Sequence, residues 1–269
     1  MADTTAQVYL KNRVIDNFSK HVETYDDNAG IQKLAADKMI ASLEPWLDII
    51  PPGPILEIGC GTGFITEHIL RLFPQKEIYV TDISGDMVAF CKQKMDNKGL
   101  LSDRVKFGVM DGESLKNAEK YAFIISGFTV QWFNDTMFGG YSMIDALKPG
   151  GLLLFSFPGD HSFSQWKMMC QDLEIPYTGN KLPDEERLVV QLSMKPVFVD
   201  SFSEYVPERY ESVAEFFRKM KRIGAGTPTN DKQLTNSQMK RLIAYWEDKY
   251  PDVVEVDYQL VYVAVKKND

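Results

Sequence analysis

The chain has 269 residues, 44% hydrophobic and 25% charged, ordinary globular values with enough length to bury a core. A formal net charge of -8 excludes the broad basic field that non-specific nucleic-acid binding needs, though it leaves room for a local basic patch. Three cysteines, Cys60, Cys91 and Cys170, are an odd number without metal-type spacing, which argues against a disulfide framework or a zinc site. The N-terminal MADTTAQVYLKNR lacks an unbroken apolar run, and no stretch reaches the ~18 apolar residues of a membrane span. The expectation is a soluble cytoplasmic protein that binds no metal and engages neither nucleic acid nor membrane.

Residues 7–48 read as helical, with a polar break near Tyr25, Asp26, Asp27 and Asn28 and apolar Ile31, Leu34, Ala35 and Leu43 at helical spacing. Pro51, Pro52, Gly53 and Pro54 stop that segment. Strands are predicted over 55–58, 77–81, 105–109, 121–126 and 152–157. Helices are predicted to about Phe73, over 85–96 and ending near Leu147, where Lys148-Pro149-Gly150-Gly151 reads as a turn. Beyond residue 158, helices are expected over 163–173, 184–192, 212–223 and 237–248, and strands over 197–206 and 253–265. A Gly/Thr/Pro loop separates the last two helices. Alternating strands and helices predict an α/β fold with a mostly parallel, doubly wound, Rossmann-like sheet. One domain is expected over 1–269: a helical cap (1–50), a core (51–157), insertions around a strand (158–250) and a terminal strand (251–269). Segments 160–195 and 207–250 are placed over the sheet's carboxyl edge as a helical lid.

The segment LEIGCGTG, residues 56–63, carries the strongest chemical signal. Glycines after a strand let a backbone approach a nucleotide-like ligand, which by itself is common to phosphate sites. Glu57 sharpens the reading, because an acid before the turn repels a pyrophosphate yet suits a cofactor bearing a sulfonium and an amino acid. Asp82 ends the next strand, where an acid can hold ribose hydroxyls. Asp111-Gly112 follows the third strand, where a carboxylate can accept from an adenine amino group. Each has a plainer alternative: Asp82 with Ser84 as a helix cap, Asp111-Gly112 as a turn, Glu57 as a paired strand-end acid. Together they converge on the edge where open α/β sheets bind ligands.

This combination resembles the class I S-adenosylmethionine (SAM)-dependent methyltransferases over roughly residues 50–157 and 253–265. The resemblance implies a seven-stranded sheet whose last strand, assigned to 257–265, is antiparallel. It implies SAM as cofactor, held by Tyr25, Gln32, Glu57, Gly59, Cys60, Gly61, Gly63, Asp82, Ile83, Met87, Asp111, Gly112 and Ser126. Three further segments narrow it. FSKHVETYDDNAGIQKLAADKM (18–39), SGFTVQWFND (126–135) and MKRIGAG (220–226) are similar to segments of the malonyl-[acyl-carrier protein] O-methyltransferases of biotin synthesis.

That family implies methyl transfer to the free carboxylate of a malonyl thioester on acyl-carrier protein, or on coenzyme A, giving an ester that primes pimeloyl synthesis. The carboxylate is its own nucleophile, so no catalytic base is expected. Tyr25, Gln131, Trp132, His161, Arg187 and Arg209 are candidates for the substrate pocket. Arg218, Lys219, Lys221 and Arg222 on a basic amphipathic helix are candidates for docking an acidic carrier protein. Methylation of another small carboxylic acid, of aconitate type, or a SAM-binding protein without turnover are the alternatives.

Overall fold

Pro51 and Pro52 lack the N–H that would continue a helix, and they divide a helical N-terminal segment from an extended run. The computed structural model describes residues 4–116, 118–225 and 233–269, with side chains from Lys11 onward. In it the first segment forms α1 (Thr4–Asn28), α2 (Gly30–Ala41) and a 3-10 turn over Glu44–Ile49. The break falls later than expected. α1 runs through Tyr25, and the interruption is the single residue Ala29, which is fully buried.

Strands and helices then alternate. They are β1 (Ile55–Ile58), α3 (Phe64–Leu72), β2 (Ile78–Asp82), α4 (Gly85–Asn97) and β3 (Val105–Val109). β4 (Tyr121–Gly127), α5 (Thr136–Ala146) and β5 (Leu147–Pro158) complete this half. The second half holds α6 (Ser164–Asp172), α7 (Glu185–Leu192), β6 (Val197–Tyr210), α8 (Val213–Arg222), α9 (Asn236–Lys249) and β7 (Val254–Lys267). Gly226 of MKRIGAG and the Gly/Thr/Pro loop over 226–232 lie outside the described residues.

All seven strands join one sheet in the order β3-β2-β1-β4-β5-β7-β6. β1 to β5 run parallel, whereas β7 is antiparallel to both β5 and β6. The reversal of strand order at β1 opens a crevice beyond the carboxyl ends of β1, β2 and β4, the usual ligand position in such sheets. Side-chain alternation along the strands feeds two cores. Ile55 faces one with Met39, Ile65, Trp166, Phe216 and Trp246, while Leu56 and Ile58 face the other with Met143, Ile144, Leu188 and Leu192.

Three expectations change here. Lys148-Pro149-Gly150-Gly151 is not a turn before β5 but a bulge within it, where pairing shifts from Tyr121–Leu147 to Phe123–Leu152 and Gly150 takes a left-handed φ of 66°. β6 extends four residues further than predicted, to Tyr210. It accommodates Pro207 as an edge strand, with one side free of strand partners among the described residues. The third change concerns α7. Residues 160–195 do not act together as a lid, because α7 packs on α5 beneath the second core. Gly140 makes this approach possible: a Cβ there would come within 2.7 Å of Leu192. α6, α9, α8 and α1 instead pack in succession, α6 on α9, α9 on α8 and α8 on α1.

Candidate active site

The turn after β1 is built from conformations that favour glycine. Gly59, Gly61 and Gly63 have φ of 73°, 51° and 94°. A Cβ on Gly59 would lie 2.0 Å from Thr129 Oγ1, so the turn is pressed against the loop after β4. A Cβ on Gly61 would meet no atom of the described residues within 4 Å, because this residue faces an open pocket. Gly61 N–H donates to Asp82 Oδ2 at 3.0 Å and Ser84 N–H to Oδ1 at 2.8 Å. Ser84, rather than Asp82, caps α4 by accepting from Met87 N. Burial raises the Asp82 pKa, and those backbone N–H groups oppose the rise.

Glu57 lies beneath the turn, 1% exposed. Thr66 Oγ1 donates to its Oε2 at 2.7 Å, while Oε1 is buried without a donor. Desolvation, with a smaller contribution from Asp82, pushes its pKa up to about 8. In the chain alone this acid is therefore mostly protonated at neutral pH. Cys60 is a buried thiol held protonated by its hydrogen bond with Cys91 and by burial. Ser126 is fully buried and donates to the Ile58 carbonyl, tying β4 to β1.

Two cavities meet over these strand ends. The smaller, of about 90 Å³, is lined by eight of the predicted cofactor residues: Tyr25, Gly59, Gly61, Asp82, Ile83, Met87, Asp111 and Gly112. Gln32 lines the larger cavity, of about 680 Å³. Glu57, Cys60, Gly63 and Ser126 line neither and support the turn from behind. Burial first, then the charges of Asp82 and Asp26, raise the Tyr25 pKa and keep its phenol protonated.

Trp132 and Phe128 line both cavities and form the wall between them. Trp132 stands edge-on to Phe18 of α1 at 5.4 Å. Phe128 takes a left-handed φ of 50°, uncommon for an aromatic residue, and its N–H donates to Ser156 O. Gln131 lines the larger cavity, with its Nε2 donating to Phe128 O and its Oε1 buried without a donor.

The remaining candidates lie elsewhere. Arg187 is exposed on α7, turned away with that helix from both cavities. Arg209 is 75% exposed and pairs with Glu255 across β6 and β7. The His161 side chain is 69% exposed beside Asp160. On α8, Lys219 is tied to Glu208 and lies over the Tyr210 ring, while Arg218, Lys221 and Arg222 are exposed. Of these four, Lys221 lines the larger cavity.

Sequence reasoning missed Lys11, Glu113 and Phe128. Lys11 Nζ lies 2.6 Å from Asp111 Oδ2 and 2.5 Å from Glu113 Oε2 at the far end of the smaller cavity. Glu113 is buried and also accepts from Asn134 N and Asp135 N, so it anchors the loop that carries Gln131 and Trp132. For Glu113, the available signal was an acid two residues after Asp111.

A methyltransferase-domain model matches residues 55–151. Malonyl-[acyl-carrier protein] O-methyltransferase 2 of Ilyobacter polytropus is 34% identical over 264 residues, covering 96% of this chain and 98% of its own. The chain belongs to the malonyl-[acyl-carrier protein] O-methyltransferase family. A further member, from Priestia megaterium, is 28% identical over 94% of this chain and 96% of its own. The fold is shared with the YcgJ protein of Bacillus subtilis, with a TM-score of 0.62 at 14% identity over 87% of this chain and 99% of that one. It is shared too with Haemonchus contortus phosphoethanolamine N-methyltransferase 2, solved with S-adenosylhomocysteine. That match has a TM-score of 0.53 at 17% identity and covers 87% of this chain and 53% of that one.

SAM is the cofactor of this family member, and the residues present fit it. Gly61 leaves open space where a side chain would stand, Glu57 offers a buried acceptor with no donor among the described residues, Asp82 ends β2, and Asp111 follows the adjacent β3.

Proposed function

We propose that the chain methylates the free carboxylate of a malonyl thioester carried by acyl-carrier protein. The observation that carries this reading is the pair of cavities meeting at Phe128 and Trp132, one with ribose- and adenine-type acids and one large and mainly apolar. Homologues named for this reaction at 34% and 31% identity support it.

SAM, when bound, supplies an electrophilic methyl group on a sulfonium sulfur. Asp82 would hold the ribose and Asp111 the adenine amino group. The protonated Tyr25 phenol donates at the rim of the same pocket. A malonyl carboxylate is ionised at neutral pH and attacks without a base, so the chain's work is positioning and exclusion of water. Phe128 and Trp132 provide the dry wall across which the reacting atoms meet. Gln32 and Gln131 present amides to the acceptor side. Arg218 and Arg222, exposed on α8, give an acidic carrier protein a basic docking face, whereas Lys219 is already engaged by Glu208. The chain works in the cytoplasm on this carrier, without nucleic acid or membrane. Among the described residues, no helix is long and apolar enough to cross a membrane.

Intact-mass spectrometry of malonyl- and acetyl-carrier protein with SAM tests the reading. A gain of one methylene mass on the malonyl form alone is expected. No gain, or an equal gain on both, overturns it.

A further inference from the structure

We propose that Lys20 and Lys221 form a subsite at the mouth of the larger cavity for the phosphodiester of a phosphopantetheine arm. The proposal rests on the reading that the acceptor is a malonyl thioester on such an arm.

A malonyl group alone does not account for a cavity of about 680 Å³, which is in the range that encloses a whole drug-sized ligand. The wall matches a longer molecule. Phe163, Trp166, Phe217 and Met239 supply apolar surface, and the side-chain amides of Gln32 and Asn180 lie on the same lining. A pantetheine arm has the same composition, methylene and dimethyl segments interrupted by two amides. Its far end is a phosphate ester, so a cavity built for it needs cations where it opens to solvent.

The charges fit that requirement. The described lining carries three cations, Arg13, Lys20 and Lys221, against one acid, Asp16, in a chain whose net charge is -8. Lys20 on α1 and Lys221 on α8 are both exposed, and neither pairs with a carboxylate among the described residues. Their neighbours are committed: Lys11 on α1 is tied to Asp111 and Glu113, and Lys219 on α8 is tied to Glu208.

The two helices are also fastened together beside these lysines. Asn17 Nδ2 donates to Gly224 O at 2.7 Å, and Phe18 lies so close that a Cβ on Gly224 would come 2.9 Å from its ring. The backbones that carry the two lysines are therefore held side by side before a ligand arrives, which reduces the ordering cost of binding a phosphate. The malonyl carboxylate itself belongs beside Phe128 and Trp132, where the cavities meet.

Steady-state kinetics with four acceptors separates the possibilities: malonyl-carrier protein, malonyl-coenzyme A, malonyl-phosphopantetheine and malonyl-pantetheine, which lacks the phosphate. The wild-type chain is expected to show a KM about tenfold lower for malonyl-phosphopantetheine than for malonyl-pantetheine. In Lys20→Met/Lys221→Met that ratio is expected to fall to near one, and the KM for the carrier-bound and coenzyme A forms to rise in parallel. A retained thermal midpoint confirms that the exposed substitutions leave the fold intact. A ratio unchanged by the double substitution overturns the subsite while the acceptor reading stands. A rise in KM confined to the carrier-bound form overturns it too, because the lysines then contact the protein and not the arm. Turnover of none of the four by the wild-type chain overturns the acceptor reading and the subsite together.

Discussion

The two cavities differ in how they are made. The smaller draws on strand ends and their turns, which place Gly59, Gly61, Asp82 and Asp111 on one edge of the sheet. The larger adds to Phe128, Gln131 and Trp132 side chains of α1, α2, α6, α8 and α9, segments that meet only in the folded chain. Backbone geometry dictates the first, and packing of separate helices dictates the second. The two can therefore be perturbed separately, and the wall residues Phe128 and Trp132 are where the separation should fail.

The largest effect is expected at the strand-end acids. Asp82→Ala removes the acceptor for Gly61 N–H and Ser84 N–H as well as the proposed ribose contact. Its SAM affinity by calorimetry is expected to fall about 100-fold; an unchanged affinity would place the ribose elsewhere. Next is Lys11→Met, which leaves the buried Glu113 carboxylate without its cation. Denaturant unfolding should show a loss of about 1.5–3 kcal/mol, and no loss would mean the contact contributes nothing to folding.

A substitution confined to the larger cavity should spare the cofactor. Leu234→Trp fills part of that space. It is expected to raise the KM for the malonyl acceptor about tenfold with SAM affinity unaltered. Equal loss of both would join what the structure separates.

The last effect, at Glu57, is a dependence on pH. Its folded pKa of about 8 lies above the ordinary 4.5, so between those values the folded chain holds a proton that the unfolded chain has released. Stability of the cofactor-free chain is therefore lowered as pH rises through that window. In Glu57→Gln this component of the slope is expected to vanish in unfolding measured from pH 5 to 8; an identical slope would remove Glu57 as its source.

The same division explains what could be read in the sequence. β1 to β5 and the glycine turn follow from local apolar runs and glycines, and the acids lie at fixed places relative to strand ends. The position of α7 did not follow, because only the contact of its Leu192 with Gly140 of α5 decides which face of the sheet it covers. Arg187 went with that helix, and Arg209 went to Glu255 across an edge strand that outran its predicted end. Lys11 reaches acids a hundred residues away, a pairing that no spacing rule exposes. Phe128 acts through a left-handed backbone, which its residue type gives no reason to expect.

The most direct test is a crystal structure with S-adenosylhomocysteine and a non-hydrolysable malonyl-pantetheine amide bound together. The account predicts adenosine between Asp82 and Asp111, and the malonyl carboxylate beside Phe128 and Trp132 with its arm in the larger cavity. Adenosine away from those acids, or an acyl group entering from any other side of the sheet, would contradict it.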